Sequence, residues 1–93
     1  WISSLALERA IGDFPEVANC AVIARPDDRW GERPIAVVSL APAASLDLAT
    51  LQTRLTRDFE RWQCPEDLIL VDSIPLTSTG KIDKKTLRRQ FPS

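Results

Sequence analysis

Apolar residues near the start of the chain recur at helical intervals. Leu7, Ala10, Ile11 and Phe14 share one face, Ser3 or Ser4 can cap the helix, Gly12 can end it, and Pro15 prevents its resumption. The pattern then changes. Val17 to Ala24 and Ile35 to Leu40 are apolar runs rich in small and β-branched residues, and each predicts a strand. Between them lies RPDDRWGERP, bounded by Pro26 and Pro34 and holding the turn residues Asp27, Asp28 and Gly31, which predicts a hairpin with a long connection. Ala41 to Ser45 reads as a loop, and Asp47 can cap the next helix. Leu48, Leu51, Leu55, Phe59 and Trp62 follow at offsets of three, four, four and three, one apolar stripe on a helix that Pro65 stops. Leu68 to Val71 is a short third strand. A last helix opens with Asp83 as cap, and Ile82 and Leu87 form a hydrophobic staple around it. The order αββαβα predicts an α+β domain of two layers, a small sheet of about three strands with helices packed on it.

Length and composition fit that picture. The chain has 93 residues, enough for one small domain and one modest core, with 44% hydrophobic and 27% charged residues. The formal net charge of −1 implies no partner by itself, but it is unevenly spread. From Lys81 onward stand Lys81, Lys84, Lys85, Arg88 and Arg89 against Asp83 alone, so the rest of the chain is acidic. There is no histidine and no CxxC pair, which argues against a zinc site, and no metal ligands are assigned to this domain. Cys20 sits in an apolar run and Cys64 at a predicted helix exit. A buried thiol plus a loop thiol in a reducing, cytoplasmic compartment is the favoured reading, with a disulfide as the alternative. No stretch is long and apolar enough to span a membrane, and no signal peptide is visible. The chain begins at Trp1 and contains no methionine, so it is expected to be a piece of a longer protein, with residues 1–93 forming a single domain.

The densest chemistry lies in PLTSTGKIDKKTLRRQF, from Pro75 to Phe91. A short hydroxyl run, Thr77, Ser78 and Thr79, leads through Gly80 to Lys81, just before a helix start. With Asp83 as cap, Lys84 and Lys85 occupy the first turn, at the positive end of the helix dipole, where an exposed cation costs roughly 0.3–1 kcal/mol. Either all three lysines are solvated and the cost is tolerated, or an anionic ligand offsets it. A Walker A loop is ruled out: it needs Gly at position 75 and Ser or Thr after the lysine, where this chain has Pro75 and Ile82.

PLTSTGKIDKKTLR resembles the C-terminal signature of the adenylate-forming enzymes: acyl-CoA synthetases, firefly luciferase and the adenylation domains of nonribosomal peptide synthetases. WISSLALERAI resembles the segment opening the C-terminal domain of that family, PDDRWGERPIAVV its hairpin, and RWQCPEDLILVDSIP its approach to the lysine loop. The resemblance covers essentially the whole chain, and the WGERP and WQCP wording is closer to fatty-acyl-CoA ligases than to peptide synthetases.

The resemblance implies the C-terminal domain fold of acyl-CoA synthetases and a role in a two-domain, ATP-dependent ligase. The partner would be the chain's own N-terminal domain, which binds ATP and a carboxylic acid, with Mg2+ in the intact enzyme and coenzyme A as thiol acceptor. The hinge and that large domain are not in this sequence, so the isolated piece is expected to be inactive. Lys81 matches the family's catalytic lysine of acyl-adenylate formation, and Thr79 and Gly80 would shape its loop. A lysine ammonium at about 4 Å, with an effective dielectric of about 20, attracts an anion by on the order of 4 kcal/mol before desolvation. The opposite face would serve thioester formation. Trp1 and Ile2 match a segment lining the pantetheine tunnel, though Trp1 reads equally as a residue whose cover is missing. Arg57 aligns with a cation near the 3′-phosphate of coenzyme A in some relatives, against a plain solvated charge on a helix. Trp30, Cys64 and Pro65 lie where relatives contact the cofactor, while the loop and the helix stop explain Trp30 and Pro65 structurally.

Two rivals remain open. One is an adenylation domain that loads a carrier-protein thiol. The other is a small anion- or nucleic-acid-binding module using the basic tail, which lacks aromatic support beyond Phe91, so no nucleic-acid partner is expected.

Overall fold

A computed structural model describes residues 4–29 and 31–91. Helix α1 spans Ser4–Gly12, strand β1 Val17–Asp27, strand β2 Gly31–Leu40, helix α2 Leu48–Leu55, a 3-10 turn Arg61–Gln63, strand β3 Asp67–Leu70 and helix α3 Lys84–Gln90. The predicted αββαβα order is the observed order. Ser4 is the first described residue of α1, and Ser3 and Trp1 lie outside the described residues. Leu7 and Ile11, one turn apart, are the buried side chains of α1.

The sheet has the order β1-β2-β3, with β1 and β2 antiparallel and β2 and β3 parallel. Both prolines expected to bound a long loop lie inside strands instead. Pairing runs from Val17↔Leu40 to Asp27↔Gly31, with an irregularity between Val17 and Asn19, so the connection shrinks to residues 28–30. Trp30 lies outside the described residues. The Arg29 N–H donates to Asp27 Oδ1 at 2.9 Å, and Gly31, at φ 79°, takes a backbone angle that side chains resist. The prolines are tolerated for positional reasons. Pro26 is on an edge strand near the hairpin tip. Pro34 is on the central strand, but its carbonyl accepts from the Glu66 N–H at 3.0 Å, so its donor-less nitrogen also faces the β3 side. Pairing there starts only at Ile35↔Asp67, and no ladder bond is lost.

Alternate residues of the two long strands serve two cores. Cys20, Val22, Ala36 and Val38 join Leu7, Ile11, Leu51, Leu55 and Cys64 on a first face, covered by α1 and α2. Ala21, Ile23, Ile35 and Val37 join Ile74 and Leu87 on the second face, under α3. The α+β class and the three-stranded sheet hold as predicted. The expected two layers become three, because a strand pair buried on both faces needs cover on both. Unbroken apolar runs, rather than alternating ones, are the sequence mark of such strands.

The second departure is α2. Asp47 caps it as predicted, accepting the Thr50 N–H at 2.7 Å. The apolar stripe does not continue as one helix to Pro65, however: α2 ends at Leu55. The Thr56 hydroxyl donates to the Thr53 carbonyl at 2.7 Å, a local bond that competes with helix continuation. Phe59 still packs against the first core, whereas Trp62 moves onto the 3-10 turn and is 40% exposed. The third strand begins one residue earlier than expected, at Asp67.

Candidate functional site

Lys81 stands near the tip of a small hairpin built from consecutive residues. Leu76 and Ile82 form an isolated antiparallel bridge, and the Asp83 N–H donates to the Pro75 carbonyl at 2.8 Å. Inside that bridge the Thr77 N–H donates to the Lys81 carbonyl at 2.7 Å, and the Gly80 N–H to the Thr77 carbonyl at 2.9 Å. This pair of bonds, with Gly80 at φ 84°, closes a three-residue loop over Ser78, Thr79 and Gly80. The Thr77 hydroxyl adds two further ties, 3.0 Å to the Thr79 hydroxyl and 3.3 Å from the Lys81 N–H. The backbone of Lys81 is thus fixed on both sides. Its side chain is exposed, and its ammonium has no partner among the described residues. A cation held this way can meet an incoming anion without first breaking a bond.

The base of the hairpin is locked by α3. The Asp83 carboxylate accepts the Thr86 N–H at 3.0 Å and the Thr86 hydroxyl at 2.8 Å, and these bonds hold its pKa below the usual aspartate value. Leu87, one turn in, is fully buried in the second core, with Ile82 packed against the same cluster. The sequence-level crowd of three lysines separates here. Lys84 pairs with Glu8 of α1, while Lys81 and Lys85 are exposed.

A second site lies at the hairpin end of the sheet, where the 3-10 turn and α2 approach β1 and β2. A groove of about 620 Å³ is lined by Asp27, Arg29, Arg33, Gln52, Arg61, Trp62, Cys64 and Glu66. Arg33 organises it: its guanidinium donates to the Trp62 carbonyl at 2.6 Å and lies 3.8 Å from Glu66. The Gln52 amide donates to the Pro65 carbonyl at 3.0 Å and joins α2 to the same wall. Three guanidinium groups, two carboxylates and a half-bare indole suit a ligand that is both anionic and flat. Of the predicted contacts, Cys64 lines the groove, although it is 1% exposed and its thiol donates to the Glu60 carbonyl at 3.6 Å. Pro65 is buried behind that wall. Arg57 sits in the turn after α2, exposed, and does not line the groove. Trp1 and Trp30 are outside the described residues. Arg33, Arg61 and Trp62 were not among the residues predicted from sequence. A 3-10 signature in Glu60 to Gln63, whose side chain and backbone cap one another, is the local signal that could have placed Trp62 off the helix.

Neither thiol is built to react. Burial, reinforced by the negative charge of Glu8, pushes the Cys20 thiol up to about 12, and burial raises that of Cys64 as well. Both cysteines are free. Among the described residues, no cluster of three or more histidine, cysteine or acidic side chains could hold a metal ion, and no helix is long and apolar enough to cross a membrane.

The lysine-bearing hairpin and the arginine-lined groove are two separate charged features of one small α+β domain. The chain belongs to the AMP-binding enzyme C-terminal domain family, whose model matches residues 6–81 and so ends on Lys81. It is 40% identical to a 3-methylmercaptopropionyl-CoA ligase of Ruegeria pomeroyi, over 98% of this chain and 17% of that protein. It is 38% identical to a long-chain-fatty-acid–CoA ligase of Thermus thermophilus, with the same two coverages. Among solved structures, the amide bond synthetase McbA from Marinactinospora thermotolerans superimposes with a TM-score of 0.91 at 31% identity, over 97% of this chain and 18% of that one. The chain thus spans about a sixth of the length of these curated relatives.

Proposed function

We propose that this domain serves an ATP-dependent, AMP-forming acyl-CoA ligase and works with a different face in each half-reaction. The observation that carries the reading is the exposed ammonium of Lys81, without a partner among the described residues, on a hairpin held by five hydrogen bonds and anchored by α3. In the first half-reaction a carboxylate oxygen attacks the α-phosphorus of ATP and pyrophosphate leaves. Both reactants are anionic, and Lys81 would draw them together and neutralise charge building at phosphorus. Thr79 and Gly80 set its position, and magnesium would arrive with ATP. In the second half-reaction the thiol of coenzyme A attacks the acyl carbonyl and AMP leaves. The groove supports a role here: Arg29, Arg33 and Arg61 offer charge to phosphates and Trp62 offers a face to the adenine ring. Cys64 and Pro65 shape its wall, Arg57 lies outside it, and Trp1 and Trp30 would complete the acceptor side.

The rest of the site would come from the protein's own N-terminal domain, which would bind ATP and the acid, with residues 1–93 acting as one domain. Relatives named for 3-methylmercaptopropionyl and for long-chain fatty acids both match this domain, which supports leaving the choice of acid to that larger part. The carrier-protein alternative is not favoured by the named ligases, and pairing of Lys84 with Glu8 weakens the basic tail on which nucleic-acid binding would depend.

The test uses the full-length enzyme. Lys81→Ala should lower ATP–pyrophosphate exchange by about 10²–10³-fold and leave thioester formation from supplied acyl-adenylate close to wild type. Equal loss of both half-reactions would overturn the role given to Lys81. Activity with a carrier-protein thiol and none with coenzyme A would overturn the acceptor.

A further inference from the structure

The Glu8 carboxylate joins three elements drawn from two sides of the sheet. Glu8 lies on α1, above the first face. β1 is an edge strand, and the Val22 N–H, turned to that open edge, donates to Glu8 Oε1 at 3.0 Å. The same oxygen takes Lys84 Nζ at 2.5 Å. Lys84 is the first residue of α3, the helix packed on the second face. The pair therefore closes around the sheet edge and ties the outer layers together, covering an edge donor on the way. It is not a loose surface contact, since the Glu8 and Lys84 side chains are only 14% and 27% exposed.

The position of Lys84 gives the pair its meaning. A lysine in the first turn of a helix opposes the dipole, so the residue needs a reason to be there. α3 is seven residues long and has one buried side chain, Leu87. Ile82 before the helix and Phe91 after it pack, partly buried, against the same core. The Lys84–Glu8 pair adds a polar tie to α1 at the first residue of the helix. Lys84 lies three residues after Lys81, and between them the Asp83 N–H is bonded to Pro75 at the hairpin base. Whatever fixes the start of α3 fixes the direction in which the hairpin presents Lys81.

We propose that Glu8 and Lys84 form a positioning pair for Lys81, aligning it for adenylate formation without touching substrate. This rests on the reading of Lys81 given above. The experiment compares full-length enzymes carrying Glu8→Gln, Lys84→Gln, both together, Lys84→Arg and, alongside, Lys81→Ala. Glu8→Gln keeps an oxygen for the Val22 N–H and removes only the charge, so it separates positioning from loss of the fold. Each single Gln variant should lower kcat of ATP–pyrophosphate exchange about tenfold, with little change in KM for ATP and none in thioester formation from supplied adenylate. The double variant should be no worse than either single, and Lys84→Arg should recover most of the rate. Equal losses in both half-reactions, single effects that multiply in the double variant, or unchanged exchange would each overturn the proposal. If Lys81→Ala cripples exchange while Glu8→Gln leaves it intact, only the positioning pair falls. If Lys81→Ala spares exchange, the role of Lys81 falls and the pair falls with it.

Discussion

The lysine hairpin and the arginine groove are built on opposite principles. The hairpin is local: residues 75–83 close on themselves through backbone and threonine hydrogen bonds, and α3 follows directly. The groove is assembled from the end of β1, the start of β2, the middle of α2, the 3-10 turn and the approach to β3. A local site keeps its internal geometry wherever its base is anchored. An assembled site exists only while the sheet and α2 hold their mutual packing. That difference suits a domain proposed to use one face for charge delivery and the other for acceptor binding.

The comparison can be broken most forcefully at the hairpin's anchor. Leu87→Ala removes the one buried side chain of α3 and should destabilise the domain by about 2–5 kcal/mol, measured by chemical denaturation. In the full-length enzyme, exchange should fall much further than thioester formation. If the groove-dependent step fell as far, the two sites would not be separable. A smaller effect sharpens the groove itself. Arg61→Ala should raise the apparent KM for coenzyme A by about tenfold, or about 1.4 kcal/mol, without altering ATP–pyrophosphate exchange. Arg57→Ala should act in the same direction and more weakly, because Arg57 does not line the groove. An Arg57 effect exceeding that of Arg61 would place the phosphate site in the turn after α2.

The smallest expected effect is acid sensitivity at the hairpin base. Hydrogen bonds from the Thr86 N–H, and then from its hydroxyl, lower the Asp83 pKa below the ordinary value of 3.8. Its stabilising contribution is therefore complete above that value and is lost as pH falls through the lower, folded-state pKa. Asp83→Asn keeps a capping oxygen and removes this titration. Its Tm should fall less than that of the wild type between pH 4 and pH 2. Parallel acid profiles would mean that Asp83 does not titrate with folding. Asp47 and Glu16, also held low by Thr50 and Arg54 respectively, should leave both proteins some residual acid sensitivity.

Legibility followed the same division. The Asp83 cap, the Ile82–Leu87 pairing, the Gly80 turn and the exposed Lys81 were all readable in the sequence, because each depends on neighbours a few residues away. Asp47 capping α2 was readable for the same reason. The end of α2 was not. Periodicity alone continued the helix through Phe59 and Trp62, and the Thr56–Thr53 hydrogen bond that ends it carries no periodic signal. Pro26 and Pro34 were read as loop boundaries, since tolerance of proline depends on which side of a strand its nitrogen faces.

The sequence by itself determined the order of elements, the Asp47 and Asp83 caps, the glycine turn that leads into Lys81, and the family. All of these rest on short-range backbone chemistry or on motifs that survive as contiguous text. The tertiary structure decided that both sheet faces are covered, that Arg33, Arg61 and Trp62 share a groove, and that Lys84 belongs to Glu8 while Lys81 stays open. Those facts depend on which residues the sheet brings together from 76 positions apart, as with Glu8 and Lys84, and no local pattern along the chain encodes that distance.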